Sequence, residues 1–134
     1  MIQPPTTKYT IIVVEDNELC LRAFSAFLDA IGFFVAEFTT CSKAIDFLAK
    51  PHPPVFCIFA DLHLSGELSG IEWLMALKEV ANGTPTIVIT GDTSNEASSI
   101  TATTGYPVLT KPFTPQMIKA ILDSIANGHP PLAL

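Results

Sequence analysis

Positive charge is scarce in this sequence: its 134 residues contain 7 lysines and arginines against 13 aspartates and glutamates, a formal net charge of −6. Nucleic acids and anionic membranes bind basic surfaces, so this balance argues against either as a direct partner. Only 15% of the residues are charged, where about 25% is usual in a globular domain. Because 49% are hydrophobic, the chain is expected to fold into one globular domain rather than to stay disordered.

Cysteine is also scarce, and its pattern is not that of a metal site. The three cysteines, Cys20, Cys41 and Cys57, show no C-x-x-C spacing and have no histidine pair at metal-ligand spacing beside them. Each lies in an apolar stretch, so we expect three buried free thiols in a reducing compartment. Long hydrophobic runs are absent, since the run at residues 11–14 meets Glu15. The sequence therefore predicts no signal peptide and no membrane span, and the cytoplasm is the expected location.

Short apolar runs alternate along the chain with stretches of helical periodicity. The runs predict strands at residues 11–14, 34–38, 55–60, 86–89 and 108–109, and the periodicity predicts helices at 17–31, 42–50, 71–81, 95–104 and 115–126. The fourth helix is expected to be short or mobile, because its threonines are poor helix formers. This alternation predicts an α/β fold, a doubly wound five-stranded parallel sheet with helices on both faces.

Polar residues follow the predicted strands at their carboxyl ends. Glu15 and Asp16 follow the first strand, Asp61 the third, Thr90 the fourth and Lys111 the fifth. These ends share one edge of a parallel sheet, so the side chains should converge, and clustered carboxylates require a cation such as Mg²⁺. A carboxylate can attack phosphorus while an ammonium and a hydroxyl stabilise the transferred group. The set predicts a site that accepts a phosphoryl group.

With these residues the sequence resembles the receiver domain of two-component response regulators over residues 8–128. The matching segments are Glu15-Asp16, Phe59-Ala60-Asp61-Leu62, Thr90-Gly91 and Lys111-Pro112-Phe113. The resemblance implies a flavodoxin-like three-layer sandwich with strand order 2-1-3-4-5. We assign residues 1–8 to an N-terminal tail, residues 9–128 to the receiver domain and residues 129–134 to a C-terminal tail.

The resemblance also implies a phosphoacceptor and a metal site. Asp61 would take the phosphoryl group from a phosphohistidine on a histidine kinase or a histidine phosphotransfer protein. Asp16 and Asp61 would bind Mg²⁺ directly, together with the backbone carbonyl of His63, and Glu15 would act through a water molecule. Mn²⁺ could substitute for Mg²⁺.

Two further residues are implied to contact the phosphoryl group. Thr90 would hydrogen bond to one of its oxygens and Lys111 would neutralise another, with a cis Lys111–Pro112 bond that aims the ammonium inward. The protein would then be a phosphoacceptor that promotes its own phosphorylation and dephosphorylation, not an enzyme with a separate substrate.

Three positions depart from the family pattern. The proline usual four residues after the acceptor is Ser65, and the following glycine falls one residue late, at Gly70, so residues 64–69 hold an insertion. The aromatic residue usual three positions before Lys111 is Val108. Valine has no ring to rotate, so the signal is expected to pass through backbone movement in residues 91–105 while Tyr106 keeps its environment.

Two other functions compete with that of a receiver. A flavin-binding electron carrier would need a phosphate loop after the first strand, where the acidic segment 15–18 would repel the phosphate. A pseudo-receiver adaptor, acting by phosphorylation-independent protein binding, should have lost Asp61, Asp16 or Lys111, yet it stays open because of Val108 and the insertion. The short sequence after the last helix favours a stand-alone receiver, or one cut from a larger kinase. Such a receiver would signal to an effector protein. A phosphorylation-dependent dimer is compatible with this interpretation.

Overall fold

The computed structural model describes residues 9–61, 69–91 and 94–128, in which five strands alternate with five helices. The strands are β1 (Thr10–Val14), β2 (Phe34–Phe38), β3 (Val55–Asp61), β4 (Thr86–Thr90) and β5 (Val108–Thr110). The helices are α1 (Glu18–Ala30), α2 (Cys41–Leu48), α3 (Gly70–Ala81), α4 (Ser94–Thr104) and α5 (Pro115–Ala126). These bounds agree with the predicted elements to within two residues.

The five strands form one parallel sheet in the order β2-β1-β3-β4-β5. Every residue of β1 and β4 is buried, and β3 is buried from Cys57 to Asp61. Burial on both faces explains why these strands are continuously apolar rather than alternating. The predicted doubly wound α/β fold and its strand order are confirmed.

Two hydrophobic cores hold the sheet from its two sides. One contains Ile12 and Ile58 and packs against α2, α3 and α4, while the other contains Phe59 and packs against α1 and α5. The Phe59 side chain is completely buried, and its ring centroid lies 5.0 Å from that of Phe24 in α1. The carboxyl edge of the sheet is therefore supported on both faces by packed side chains.

Side-chain caps fix where the helices begin. The side chain of Asn17 accepts a hydrogen bond from the backbone N–H of Cys20 at 3.0 Å, and Ser69 and Glu72 form a capping box at the start of α3. Thr114 caps α5 with Pro115 in its first turn, as predicted. Each such cap typically stabilises a protein by about 1 kcal/mol. Because the helices of this fold start at the carboxyl edge of the sheet, the caps also order the segments beside the acidic residues.

Helix α4 is 11 residues long, so it is not short; the alternative expectation, that it is mobile, stays a prediction. Two of its threonines form side-chain hydrogen bonds: Thr104 donates to the carbonyl of Ile100 in the preceding turn of the same helix, and Thr101 donates to the carbonyl of Tyr106 beyond its end. The side-chain amine of Lys78 in α3 donates to the carbonyl of Thr104, and Ile100 is completely buried. The contacts with Lys78 and Tyr106 and the burial of Ile100 outweigh the low helix propensity of threonine at this end of α4.

The prediction of three buried thiols holds for two cysteines only. Cys41 and Cys57 are buried, and burial raises the pKa of Cys41 to about 11 and that of Cys57 well above its ordinary value. Cys20 is exposed in the first turn of α1, where the apolar stretch turns outward, so the prediction is wrong there. All three are free thiols.

Within the described ranges, no helix is both long and apolar enough to cross a membrane. The predicted tails, residues 1–8 and 129–134, lie outside the described residues, so the predicted domain bounds stay a prediction.

Candidate functional site

The residues singled out after the strands lie at one edge of the sheet. Asp61 is the last residue of β3, Thr90 is the last residue of β4, and Lys111 directly follows β5. In the register between β1 and β3, Val14 pairs with Ala60. The next residues along each strand, Glu15 and Asp61, are therefore neighbours.

Three carboxylates form a cluster at this edge. Glu15, Asp16 and Asp61 each offer a carboxylate oxygen within 4.8 Å of the others. Asp61 is only 4% exposed, whereas Asp16 is exposed to solvent. The cluster therefore extends from the core to the surface, with one oxygen donor fixed by the sheet and one reachable from outside.

Lys111 is the cation nearest these carboxylates in the described part of the chain. Its Nζ lies 3.2 Å from Oδ2 of Asp61 and 3.6 Å from Oε1 of Glu15. Its backbone N–H donates to the carbonyl of Thr90 at 2.8 Å, which ties the end of β5 to β4. The Lys111–Pro112 bond is cis. Burial acts to lower the pKa of Lys111, but the hydrogen bond and charge of Asp61, with the charge of Glu15, outweigh it and raise that pKa.

Thr90 lies deeper than the charged groups. It is completely buried at the end of β4, and β4 runs beside β3 with Ile89 paired to Asp61. Thr90 therefore follows Ile89, the strand partner of Asp61, and lies buried at the same edge of the sheet.

The capping of α1 shows which acidic residue is available to a ligand. Asp16 and Asn17 are both suitable cap residues by type, but the structure assigns the cap to Asn17. The backbone N–H of Asn17 also donates to Oε2 of Glu15 at 3.2 Å. Asp16 therefore does not serve as the helix cap, and Asn17 is a positioning residue that its cap propensity alone did not reveal.

The charge of the cluster is unbalanced without a further cation. Three ionised carboxylates and one ammonium give −3 + 1 = −2 for Glu15, Asp16, Asp61 and Lys111. Burial raises the pKa of Glu15 to about 7, and the charge of Asp61 adds to the rise, while the N–H of Asn17 and the charge of Lys111 offset part of it. A proton on Glu15 thus relieves part of the repulsion.

The raised pKa of Glu15 predicts a pH dependence with a defined sign. Its unfolded-state pKa is 4.5 and its folded-state pKa is about 7, so the metal-free protein should lose stability as pH rises between these values. Binding of a divalent cation requires the ionised carboxylate, so Mg²⁺ affinity should rise by about tenfold from pH 6 to pH 8. Calorimetric titrations at the two pH values test this. A Glu15→Gln variant should bind equally at both, and an unchanged pH dependence in that variant would contradict the assignment.

The structure describes only part of the predicted site. His63, Ser65 and most of the insertion at residues 64–69 lie outside the described residues. Gly70 is the first residue of α3. Val108 is partly buried against the core that contains Tyr106, which is itself buried.

Comparisons with known proteins agree with this architecture. The sequence profile of the response regulator receiver domain matches residues 11–123. The transcriptional regulatory protein FixJ of Bradyrhizobium diazoefficiens is 29% identical over 132 residues, which cover 96% of this chain and 62% of FixJ. The chain thus spans less than two thirds of that relative.

Solved structures of receiver domains have the same fold. The CheY-like receiver domain protein from Methanospirillum hungatei JF-1 aligns with a TM-score of 0.76 and 22% identity, over 91% of this chain and 99% of that one. The chemotaxis response regulator CheY4 of Vibrio cholerae aligns with a TM-score of 0.74 and 22% identity, over 89% and 99%. The match of the family profile, together with the strand order, shows that the chain belongs to the response regulator receiver domain family of two-component signalling systems.

Proposed function

We propose that Asp61 is a phosphoacceptor, which receives a phosphoryl group from a phosphohistidine in a Mg²⁺-dependent reaction. The observation that carries this proposal is the surroundings of the Asp61 carboxylate. It has the Lys111 ammonium at 3.2 Å on one side and the carboxylates of Glu15 and Asp16 within 4.8 Å on the other. A nucleophilic oxygen, a cation and a metal-binding group are the components that phosphoryl transfer needs.

The carboxylates fit a small hard cation. Mg²⁺ binds oxygens at 2.0–2.1 Å, so two of its ligands lie at most roughly 4.2 Å apart. A limit of 4.8 Å between the carboxylate oxygens comes within a small side-chain adjustment of that value. Asp16 and Asp61 would hold the ion directly, Glu15 through water, and the His63 carbonyl would complete the protein ligands; Mn²⁺ would fit the same donors. The ion supplies charge neutralisation for a phosphoryl oxygen.

The protein groups then have separate tasks. An oxygen of Asp61 forms a bond to phosphorus while the phosphorus–nitrogen bond breaks, and the electron pair of that bond returns to the imidazole of the donor. Lys111 exchanges its contact with Asp61 for a phosphoryl oxygen, and the hydroxyl of Thr90 hydrogen bonds to another. The reacting oxygen is the chain's own, so the protein is a phosphoacceptor and not an enzyme with a separate substrate.

The partner that supplies the phosphoryl group is, on this proposal, a histidine kinase or a histidine phosphotransfer protein. The output is a contact with an effector protein. Because the chain has a net charge of −6, direct contact of this domain with nucleic acid is disfavoured.

Intact-mass spectrometry with acetyl phosphate tests the proposal. The wild-type chain should gain the mass of one phosphoryl group with Mg²⁺ and none when the metal is chelated. Asp61→Asn should gain none, and Asp123→Asn, at an exposed position of α5, should behave as wild type. Equal labelling of Asp61→Asn would contradict the assignment of Asp61 as the phosphoacceptor. A wild-type chain that is not labelled would favour the pseudo-receiver adaptor.

The readout of the signal is proposed to lie in the β4–α4 region. Val108 has no ring to rotate, and Tyr106 is only 8% exposed, so it cannot move from solvent into the core. Its backbone N–H donates to the hydroxyl of Thr104 at 3.1 Å, and the Lys78 ammonium lies 5.2 Å from its ring centroid. These contacts support an anchored carboxyl end of α4, with movement left to the end near Thr90.

Hydrogen exchange measures this movement. Amide exchange in residues 91–105 should change when beryllofluoride, a phosphoryl mimic, is added with Mg²⁺, whereas the ring resonances of Tyr106 should keep their positions. Unaltered exchange in this stretch with shifted Tyr106 resonances would make Tyr106 the switch instead.

A further inference from the structure

A groove runs between helix α1 and the edge strand β2, away from the acidic cluster. It has a volume of about 490 Å³ and is lined by Arg22, Ser25, Ala26 and Asp29 of α1 and by Phe34, Val35 and Glu37 of β2. Phe34 is 54% exposed. Ser25 is only 8% exposed, and its hydroxyl has no hydrogen-bond partner in the described part of the chain.

The outer edge of β2 carries a short row of peptide groups without a strand partner. The N–H of Phe34 donates to the carbonyl of Tyr9, and the carbonyl of Phe38 accepts from the N–H of Glu15. Peptide groups alternate in direction along a strand, so those of Val35 and Glu37 point away from β1. Since β2 is the outermost strand of the sheet, the N–H and carbonyl groups of these two residues are available to another strand.

We propose that this groove is the interface of a homodimer, in which the β2 strands of two copies pair antiparallel about a two-fold axis at Ala36. With that axis, Val35 faces the second copy's Glu37 and each pair exchanges two backbone hydrogen bonds. All four outward peptide groups are then satisfied. On the opposite face, Phe34 lies across from the second copy's Phe38, an aromatic pair of the kind that stabilises neighbouring strands.

The helix side of the groove has the same two-fold character. Arg22 and Asp29 lie at equal distances in sequence from the small residues Ser25 and Ala26. When two α1 helices run antiparallel across the axis, Arg22 of each copy meets the second copy's Asp29. Neither residue forms an ion pair within the described residues. Ala26, small and exposed between the two charged residues, allows the two helices to approach closely, and the two charge pairs complement each other.

The β2 edge is self-complementary in hydrogen bonding and in its aromatic residues, and helix α1 is self-complementary through the two Arg22–Asp29 pairs, so a second copy of this chain is the occupant that this surface fits. The interface leaves Asp61 and Lys111 uncovered. The dimer therefore does not depend on the proposed phosphorylation.

Disulfide trapping tests the axis directly. Residues at a non-hydrogen-bonded antiparallel pair have Cα atoms about 4.5 Å apart, within disulfide range. Ala36→Cys, in a Cys20→Ser background that removes the exposed native thiol, should form a covalent dimer with oxidised glutathione. Asp46→Cys, exposed on α2, should stay monomeric in the same background. Failure of Ala36→Cys to cross-link faster than Asp46→Cys would overturn the proposal.

Sedimentation velocity over a concentration series tests the energetics. Arg22→Asp and Asp29→Arg should each weaken dimerisation by about tenfold, and the double variant should restore it, because the charge pairs are re-formed with reversed sign. Glu37→Pro should also weaken it by removing an outward N–H, while Glu37→Thr should not. A wild-type chain that remains monomeric at every concentration, or a double variant as weak as the singles, would exclude this interface.

Discussion

Replacing Lys111 with alanine is expected to slow phosphorylation by acetyl phosphate by roughly 10²-fold, the effect typical of removing one preorganised stabilising group. The Nζ of Lys111 lies 3.2 Å from the Asp61 oxygen and 3.6 Å from Glu15, so it is in place to neutralise an incoming phosphoryl oxygen. Mg²⁺ affinity should not fall, because the lysine repels the ion and supplies none of its ligands.

The rate is measured by intact mass over a time course at saturating Mg²⁺. Lys111→Arg should retain part of the rate, since it keeps the charge but not the geometry of the ammonium. Lys119→Ala, on the exposed surface of α5, is the matched control and should react as wild type. A Lys111→Ala protein that reacts at the wild-type rate would remove Lys111 from the site.

Replacing Asp16 with alanine is expected to weaken Mg²⁺ binding by at least about tenfold, since it deletes one of the two carboxylates proposed to bind the ion directly. The structure leaves Asp16 exposed and uses Asn17 as the helix cap, so the substitution should cost little stability. Glu15→Ala should weaken binding less, because Glu15 is proposed to act through water.

Isothermal titration with Mg²⁺ measures this order of affinities. Asp46→Ala, at an exposed aspartate of α2, should leave the affinity unchanged. If Asp16→Ala binds Mg²⁺ as tightly as wild type, then Asp16 is not a ligand.

The fold was largely predictable because the strands carry unambiguous local signals. Residues 55–60 form a continuous apolar run, and in the structure β3 extends over it to Asp61. The alternation of strands and helices predicted a parallel sheet, and the family resemblance predicted which strands lie beside β3. The convergence of Glu15, Asp61 and Lys111 followed from topology alone, since parallel strands end at one edge.

Features that depend on tertiary distances could not be predicted from local sequence. The threonines of α4 predicted a short or mobile helix, but the helix is 11 residues long, and its carboxyl end is anchored because Ile100 is buried and Lys78 of α3 contacts the carbonyl of Thr104. Cys20 sits in an apolar stretch but faces solvent. The raised pKa of Glu15 arises from burial and from the carboxylate of Asp61, which is distant from Glu15 in the sequence.

The position of the phosphoryl group is the most direct test of the central claim. After reaction with acetyl phosphate and Mg²⁺, borohydride reduction converts a phosphorylated aspartate into homoserine, and peptide mass mapping locates the converted residue. Homoserine is expected at position 61 and at no other position. Homoserine at position 16, or its absence from a wild-type protein treated with Mg²⁺, would contradict the central claim.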